Sequence, residues 1–432
     1  MSENVGPNLN TPVELIRLAS AIHRFRCPEV GSKKLSFERA FKTSSAAHPE
    51  TVQLMKQADK TRASLIESLS KSTISYEDTA AAAEDYIPFV NQVLWTCKLQ
   101  PDTARLDERL QFEWKSGIEA SRTATSFLSE ALMYELVMSV ACQALATGGA
   151  GCDLSVAGDF ASAGKQFKTA AAIWKYLGQD LLPKWIARGS DALEKDLPAE
   201  ANTGIADAMT ALNLAYSQQM VVSAALAKST SKPSYSLMAK LTLGIAEQID
   251  EAVKNFNKKA PEQVTRMDSI CFSLLKFQLE YQRFLSKYYL ARAAWDDNHE
   301  YGIAVAMMQE VANYLHTLPD VETAKSPLRV LGKDLAVVRA HITSILQAWE
   351  KDNSTVYFES VPQQIPITKR LQAGMKMVKE PQPYIVQDPA VLPLSIPPER
   401  PPATAPTSTN LQRSDSDLAR ELQARFNAGL HD

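Results

Sequence analysis

Apolar residues recur at helical spacing through most of this chain. From about Pro12 to Glu350 they return every three or four positions, as one buried face of an α-helix requires. That periodicity predicts helices over 49–70, 78–96, 106–147, 154–178, 203–227, 235–257, 261–294, 299–316 and 323–349. No stretch alternates with the period of two expected of a half-buried strand. Gly148-Gly149-Ala150-Gly151 is expected to stop the helix before it, because glycine supplies the left-handed backbone of a C-cap. Lys232-Pro233-Ser234 separates two helices, with Ser234 as N-cap, and Pro319-Asp320 marks another break. Phe160, Phe167 and Trp174 fall seven apart, with Ala163, Ala170 and Ala171 between them. Small residues let helices approach while aromatics fill the grooves, so these are read as core in tetratricopeptide-like hairpins. A clean repeat period is absent.

The pattern changes after Met377. Nine prolines fall between Pro381 and Pro406, which excludes helix and sheet and predicts an extended chain. Tyr384, Ile385, Val386, Leu392 and Ile396 are apolar, so the first half of this stretch is expected to lie against the folded part. Helical spacing returns near the C-terminus, where Ser414 begins a capping box and Leu418, Leu422 and Phe426 form one stripe. The chain therefore divides into a helical domain over 12–377, a proline-rich segment over 378–412 and a short amphipathic helix over 413–430.

Composition narrows the function. The sequence carries 46 basic and 49 acidic residues, a net charge of −3, which gives no footing for nucleic-acid binding. Cys27, Cys97, Cys142, Cys152 and Cys271 are scattered without a C-x-x-C pair, as expected of reduced cytosolic thiols. Cys142 and Cys271 sit in helical patterns as core residues. The N-terminal residues lack an apolar signal core, Ser2 excludes a myristoylation motif, and no apolar run is long enough to span a membrane. The six histidines, at 23, 48, 299, 316, 341 and 431, show no metal-ligand spacing, and neither a phosphate loop nor a nucleophile elbow occurs. The expectation is a non-enzyme without metal or cofactor.

Several blocks, in order, carry a resemblance. They are Phe112-Glu113-Trp114-Lys115 followed by Phe127-Leu128 and Tyr134-Glu135; the aromatic helix over 164–177; LNLAYSQQMVVSAA over 212–225 with Ala239-Lys240-Leu241; Tyr301-Gly302-Ile303-Ala304; and KDNSTVY from Lys351 to Tyr357, soon followed by Val361-Pro362. Together they resemble the Bro domain family, the helical module of ESCRT-associated proteins, over roughly residues 90–362. The first 85 residues match that pattern poorly. The resemblance implies an all-α, curved helical scaffold with tetratricopeptide-like hairpins, here followed by the extended proline-rich tail. It also implies a cytoplasmic adaptor, peripheral to the endosomal membrane, acting in multivesicular-body sorting.

The same resemblance implies a concave apolar groove that receives the amphipathic C-terminal helix of an ESCRT-III subunit. It places the groove's three anchors on Val221, Leu237 and Leu241. Without the resemblance, apolar residues at these positions would be read as core. Val221 is smaller than the usual aromatic, and the flanking polar positions fall on Ala157, Ala161 and Ala224, with Asp159 and Lys165 nearby. The tail offers alternatives. Pro397 to Pro402 is a candidate SH3-type ligand, and Leu418, Ala419, Leu422 and Phe426 resemble an inverted ubiquitin-interacting helix. A diverged or autoinhibited scaffold, its groove filled by its own tail, is the competing reading.

Overall fold

The computed structural model describes residues 11–386 and Leu392, apart from 32–34, 44–47, 72, 103, 107–109, 123, 125, 187–196, 228–232, 322 and 324–325. Its body is a series of helices, each packed on the next. The main members are α3 (Pro49–Ser70), α4 (Tyr76–Leu99), α5 (Leu132–Val156), α6 (Phe160–Tyr176), α8 (Thr203–Ala227), α9 (Tyr235–Lys259), α11 (Ser269–Asp296), α12 (Tyr301–Leu315) and α13 (Gly332–Asp352). Shorter helices are α1 (Val13–Ala19), α2 (Phe37–Ala40), α7 (Leu182–Ile186) and α10 (Pro261–Arg266). Side-chain caps start several of them: Ser75 on α4, Asp159 on α6, Ser234 on α9 and Asp268 on α11 each accept a bond from a first-turn N–H. The all-α scaffold expected from periodicity is present. Cys142 and Cys271 are fully buried, as read from the sequence.

Three predicted helix boundaries fail, and strands occur where none was expected. The segment 106–147 is not one helix. Phe112–Lys115 forms strand β4, which pairs antiparallel with β1 (Glu29–Val30) and β5 (Ser126–Ser129), placing Trp114 opposite both Val30 and Phe127. Phe112 and Trp114 point inward while Glu113 and Lys115 do not, an alternation too short to stand out from the helical background. A second ribbon pairs β2 (Phe41–Thr43) with β3 (Ala104–Leu106). The glycine run does not stop α5, which passes through it to Val156. A Cβ at Gly149 would strike the Tyr76 ring, and one at Gly151 would press on Phe167, so these glycines allow close packing. The left-handed cap is Gly158, at φ +84°. Last, 261–294 is two helices, broken at Met267-Asp268.

One buried carboxylate ties the N-terminal elements together. Glu135 on α5 is fully buried and accepts from Arg62 Nε on α3 at 2.8 Å, from the Tyr86 hydroxyl on α4 at 2.8 Å and from Trp114 Nε1 on β4 at 2.5 Å. Arg62 is itself 4% exposed. Both charges are thus paired, and both carboxylate oxygens are bonded, the condition under which buried ions are tolerated.

After α13 the chain reverses. Asn353, 6% exposed, donates through Nδ2 to the Glu359 carbonyl and accepts the Glu359 N–H, holding a turn in which Phe358 takes φ +58°. The Glu359 carboxylate then accepts the Gly302 N–H in the first turn of α12 at 2.7 Å, where the helix dipole favours a negative charge. Gly302 has no room for a Cβ, because the Ser360 backbone passes against it. Tyr357 stacks on Tyr301 at 3.5 Å between centroids, beside the stacked pair Trp295 and Trp349. From Ser360 the chain runs back across the helices as an extended strap.

Two outcomes test these links. Glu135→Ala leaves Arg62 buried without its partner and is expected to lower stability by about 3–5 kcal/mol, read from urea unfolding. Asn353→Ala removes two bonds to the Glu359 backbone and is expected to cost about 1–3 kcal/mol, with the helical circular dichroism of the folded state unchanged.

Candidate functional site

The three anchor candidates sit at one edge of the central layer. Helix α6 starts there, α8 ends there and α9 starts there, since neighbouring helices run antiparallel. Gly164 on α6 lies against Met220 and Ser217 on α8, and the Ser217 hydroxyl donates to the Gly164 carbonyl at 2.8 Å. On α8, Gln218 donates to the Leu241 carbonyl of α9 at 3.0 Å. That register brings Val221 beside the first turns of α9.

The structure separates the three candidates by exposure. Leu237, in the first turn of α9, is 37% exposed, and Val221 is half-buried. Leu241 is 1% exposed and belongs to the core beneath them. Of the flanking alanines, Ala157 and Ala161 are exposed and Ala224 is half-buried. Asp159 is fully exposed, and its carboxylate caps α6; hydrogen bonds from Ser162 hold it below the usual carboxylate range. Lys165 is exposed nearly two turns further along. The edge is therefore apolar, rimmed by small side chains and these two charges. The tail residues Leu418, Ala419, Leu422 and Phe426, and the 397–402 stretch, lie outside the described residues.

A wall of this site that the sequence did not reveal comes from the strap. Met375 donates its N–H to the Lys240 carbonyl at 2.8 Å, and its own carbonyl accepts Gln218 Nε2 at 2.8 Å. The Met377 N–H returns to Gln218 Oε1 at 2.8 Å. Strap and α9 meet backbone to backbone here: a Cβ on Gly374 would collide with Gly244, and one on Gly244 with the Met375 backbone. Gln218 and Lys240 lie three positions from Val221 and Leu237 respectively, so the strap borders the apolar edge. Met375 and Met377 are 39% and 46% exposed there. Beyond them the strap continues over α6 and α5, where Tyr384 packs on Tyr176 and donates its hydroxyl to Gln143. Leu392 is buried, its N–H on Thr96 Oγ1 of α4 at 3.0 Å. The packed chain thus extends past Met377.

The arrangement offers apolar contact rather than bond-making groups. Among the described residues no cluster of three His, Cys, Asp or Glu side chains could hold a metal ion, and no helix is long and apolar enough to cross a membrane. The buried thiols of Cys142, Cys152 and Cys271 are shifted upward, toward the unreactive protonated form; burial is the main cause for Cys152 and Cys271, and for Cys142 a hydrogen bond with Cys27 comes first, then burial.

Solved structures with this fold include the ALIX BRO1 domain in complex with CHMP4C, at TM-score 0.63 and 15% identity, covering 86% of this chain and 98% of that one. ALIX in complex with the SIVmac239 PYKEVTEDL late domain gives 0.62 and 15%, covering 86% of this chain and 50% of that one. A Bro1 domain, described as a basis for endosomal targeting, gives 0.63 and 13%, covering 84% and 92%. No curated protein matches in sequence. The BRO1-like domain family matches residues 39–398, a wider span than the blocks legible by eye, and this chain belongs to that family.

Proposed function

We propose that this chain is a non-enzymatic adaptor of the ESCRT pathway, which receives the amphipathic C-terminal helix of an ESCRT-III subunit on the edge formed by α6, α8 and α9. It does so peripherally at endosomal membranes, during sorting into multivesicular bodies. The observation that carries this reading is the exposed Leu237 beside Val221, bordered by Met375 and Met377, on a fold shared with an ALIX BRO1 domain seen in complex with CHMP4C. An amphipathic helix laid there would place its i, i+3 and i+4 side chains against those residues. Methionines suit such a surface, because their unbranched side chains adapt to varied partners. The alanines at 157, 161 and 224 leave apolar contact as the main source of affinity, with Asp159 and Lys165 at the rim.

Exposure decides which substitutions test this. Leu237→Asp is expected to weaken binding of ESCRT-III C-terminal helix peptides at least tenfold in calorimetric titration of the full chain, with the melting temperature held within a few degrees. Leu241→Asp places a charge in the core and is expected to cost more than about 3 kcal/mol, so any loss of binding there reports unfolding. A wild-type chain that binds none of these peptides would overturn the reading.

A further inference from the structure

A second cleft lies between α9, α11, α12 and the strap, lined by none of the anchor candidates just described. Its cavity is about 260 Å³. The floor is apolar, made by Leu290, Met307, Ile365 and Leu371 among others. The rim is basic: Arg283 and Lys287 from α11, with Lys369 and Arg370 from the strap. Lys287 and Arg370 converge on a single carboxylate, Glu310, at 2.5 and 3.0 Å. Arg283 and the Tyr314 hydroxyl share Glu280, and Lys369 pairs with Glu300. Four cations thus face three carboxylates. The field shows in Glu310: burial alone would raise its pKa, yet Lys287 and Arg370 hold it below the usual value. The Lys287 and Arg370 side chains remain 33% and 44% exposed, within reach of an incoming anion.

We infer that this cleft is a peptide-binding site, for a segment that sets a bulky apolar side chain beside acidic residues. The apolar floor would take the side chain, and the basic rim would meet the flanking carboxylates, the arrangement of an anchor ringed by complementary charge. One wall of the site is the strap, so the bound segment would also fasten Ile365 to Leu371 onto α11 and α12. None of Val221, Leu237, Met375 and Met377 lines this cleft, and its test is read separately from binding at the α6–α8–α9 edge.

Met307 on the floor gives a local reporter. The full chain, carrying labelled methionine methyl groups and with Met307 assigned through Met307→Leu, is titrated with capped peptides holding a central Leu, Phe or Trp between paired glutamates. The expected result is a saturable shift of the Met307 methyl, weakened at least fivefold by Lys287→Gln and by Arg370→Gln. A rise from 50 to 500 mM salt is expected to weaken it as well, a readout that needs no variant. Peptides with lysines in place of the glutamates should leave Met307 unmoved. The inference is overturned if no acidic peptide shifts Met307, or if the lysine peptides bind as well. Phosphatidylserine vesicles that bind the wild type but not Lys287→Gln, with every peptide inert, would also overturn it and assign the basic rim to a membrane surface.

Discussion

An extended chain laid across helices has no ladder to satisfy its backbone, and Gln218 supplies the missing partner for the strap. Its side-chain amide accepts the Met377 N–H and donates to the Met375 carbonyl, imitating a neighbouring strand for one residue pair. The same nitrogen donates to the Leu241 carbonyl, so a single side chain holds α8, α9 and the strap in register. Each such bond contributes only about 1 kcal/mol net, but a buried amide left without partners costs more, which makes the set cooperative. The backbone contact of Gly244 with Gly374 allows the strap close enough for these bonds to form.

The next residue serves the other end of the chain. Gln219 donates to the carbonyls of Ala19, the last residue of α1, and of Ala21 just beyond it, and Gln278 and Gln282 of α11 donate to Leu18 and Ala19. Neighbouring residues on a helix point about 100° apart, so Gln218 and Gln219 face different sides of α8. One side is covered by the C-terminal strap and the other by the N-terminal segment. The central helix is thereby tied near both ends of the described chain, to the end of α1 on one side and to the extended strap on the other. The turn at Asn353 feeds the strap into this arrangement: Asn353 shapes it, Glu359 anchors it on α12, and Gly302 makes way for it.

These contacts explain which parts of the molecule were legible in sequence. Long helices were found end to end, whether one face is buried as in α3 or nearly the whole girth as in α8, because helical spacing over many turns is a strong signal. β4 was missed, because two inward residues in four look like half a helical turn. The glycines of α5 misled for a related reason: glycine permits both a left-handed cap and a close approach, and only the Tyr76 and Phe167 rings reveal which is in use. The KDN block was recognisable as a pattern, while its physical role depends on residues some fifty positions away in α12. Gln218 stood within a recognised block too, yet nothing local distinguishes a glutamine that pairs with backbone 157 residues later.

The same limit applies within the candidate site. Leu237 and Leu241 are four residues apart and share a face of α9, so sequence treats them alike. Structure does not, because covering depends on where the neighbouring elements end. At Leu241 the helix is flanked by α8 and by the strap; at Leu237, three residues after its capping serine, the helix has only begun and its outer side is open. A groove made where helices start and stop thus gains exposed apolar residues without breaking the core pattern. Its floor and its contact residues can belong to one heptad-like stripe, and the strap decides where one gives way to the other.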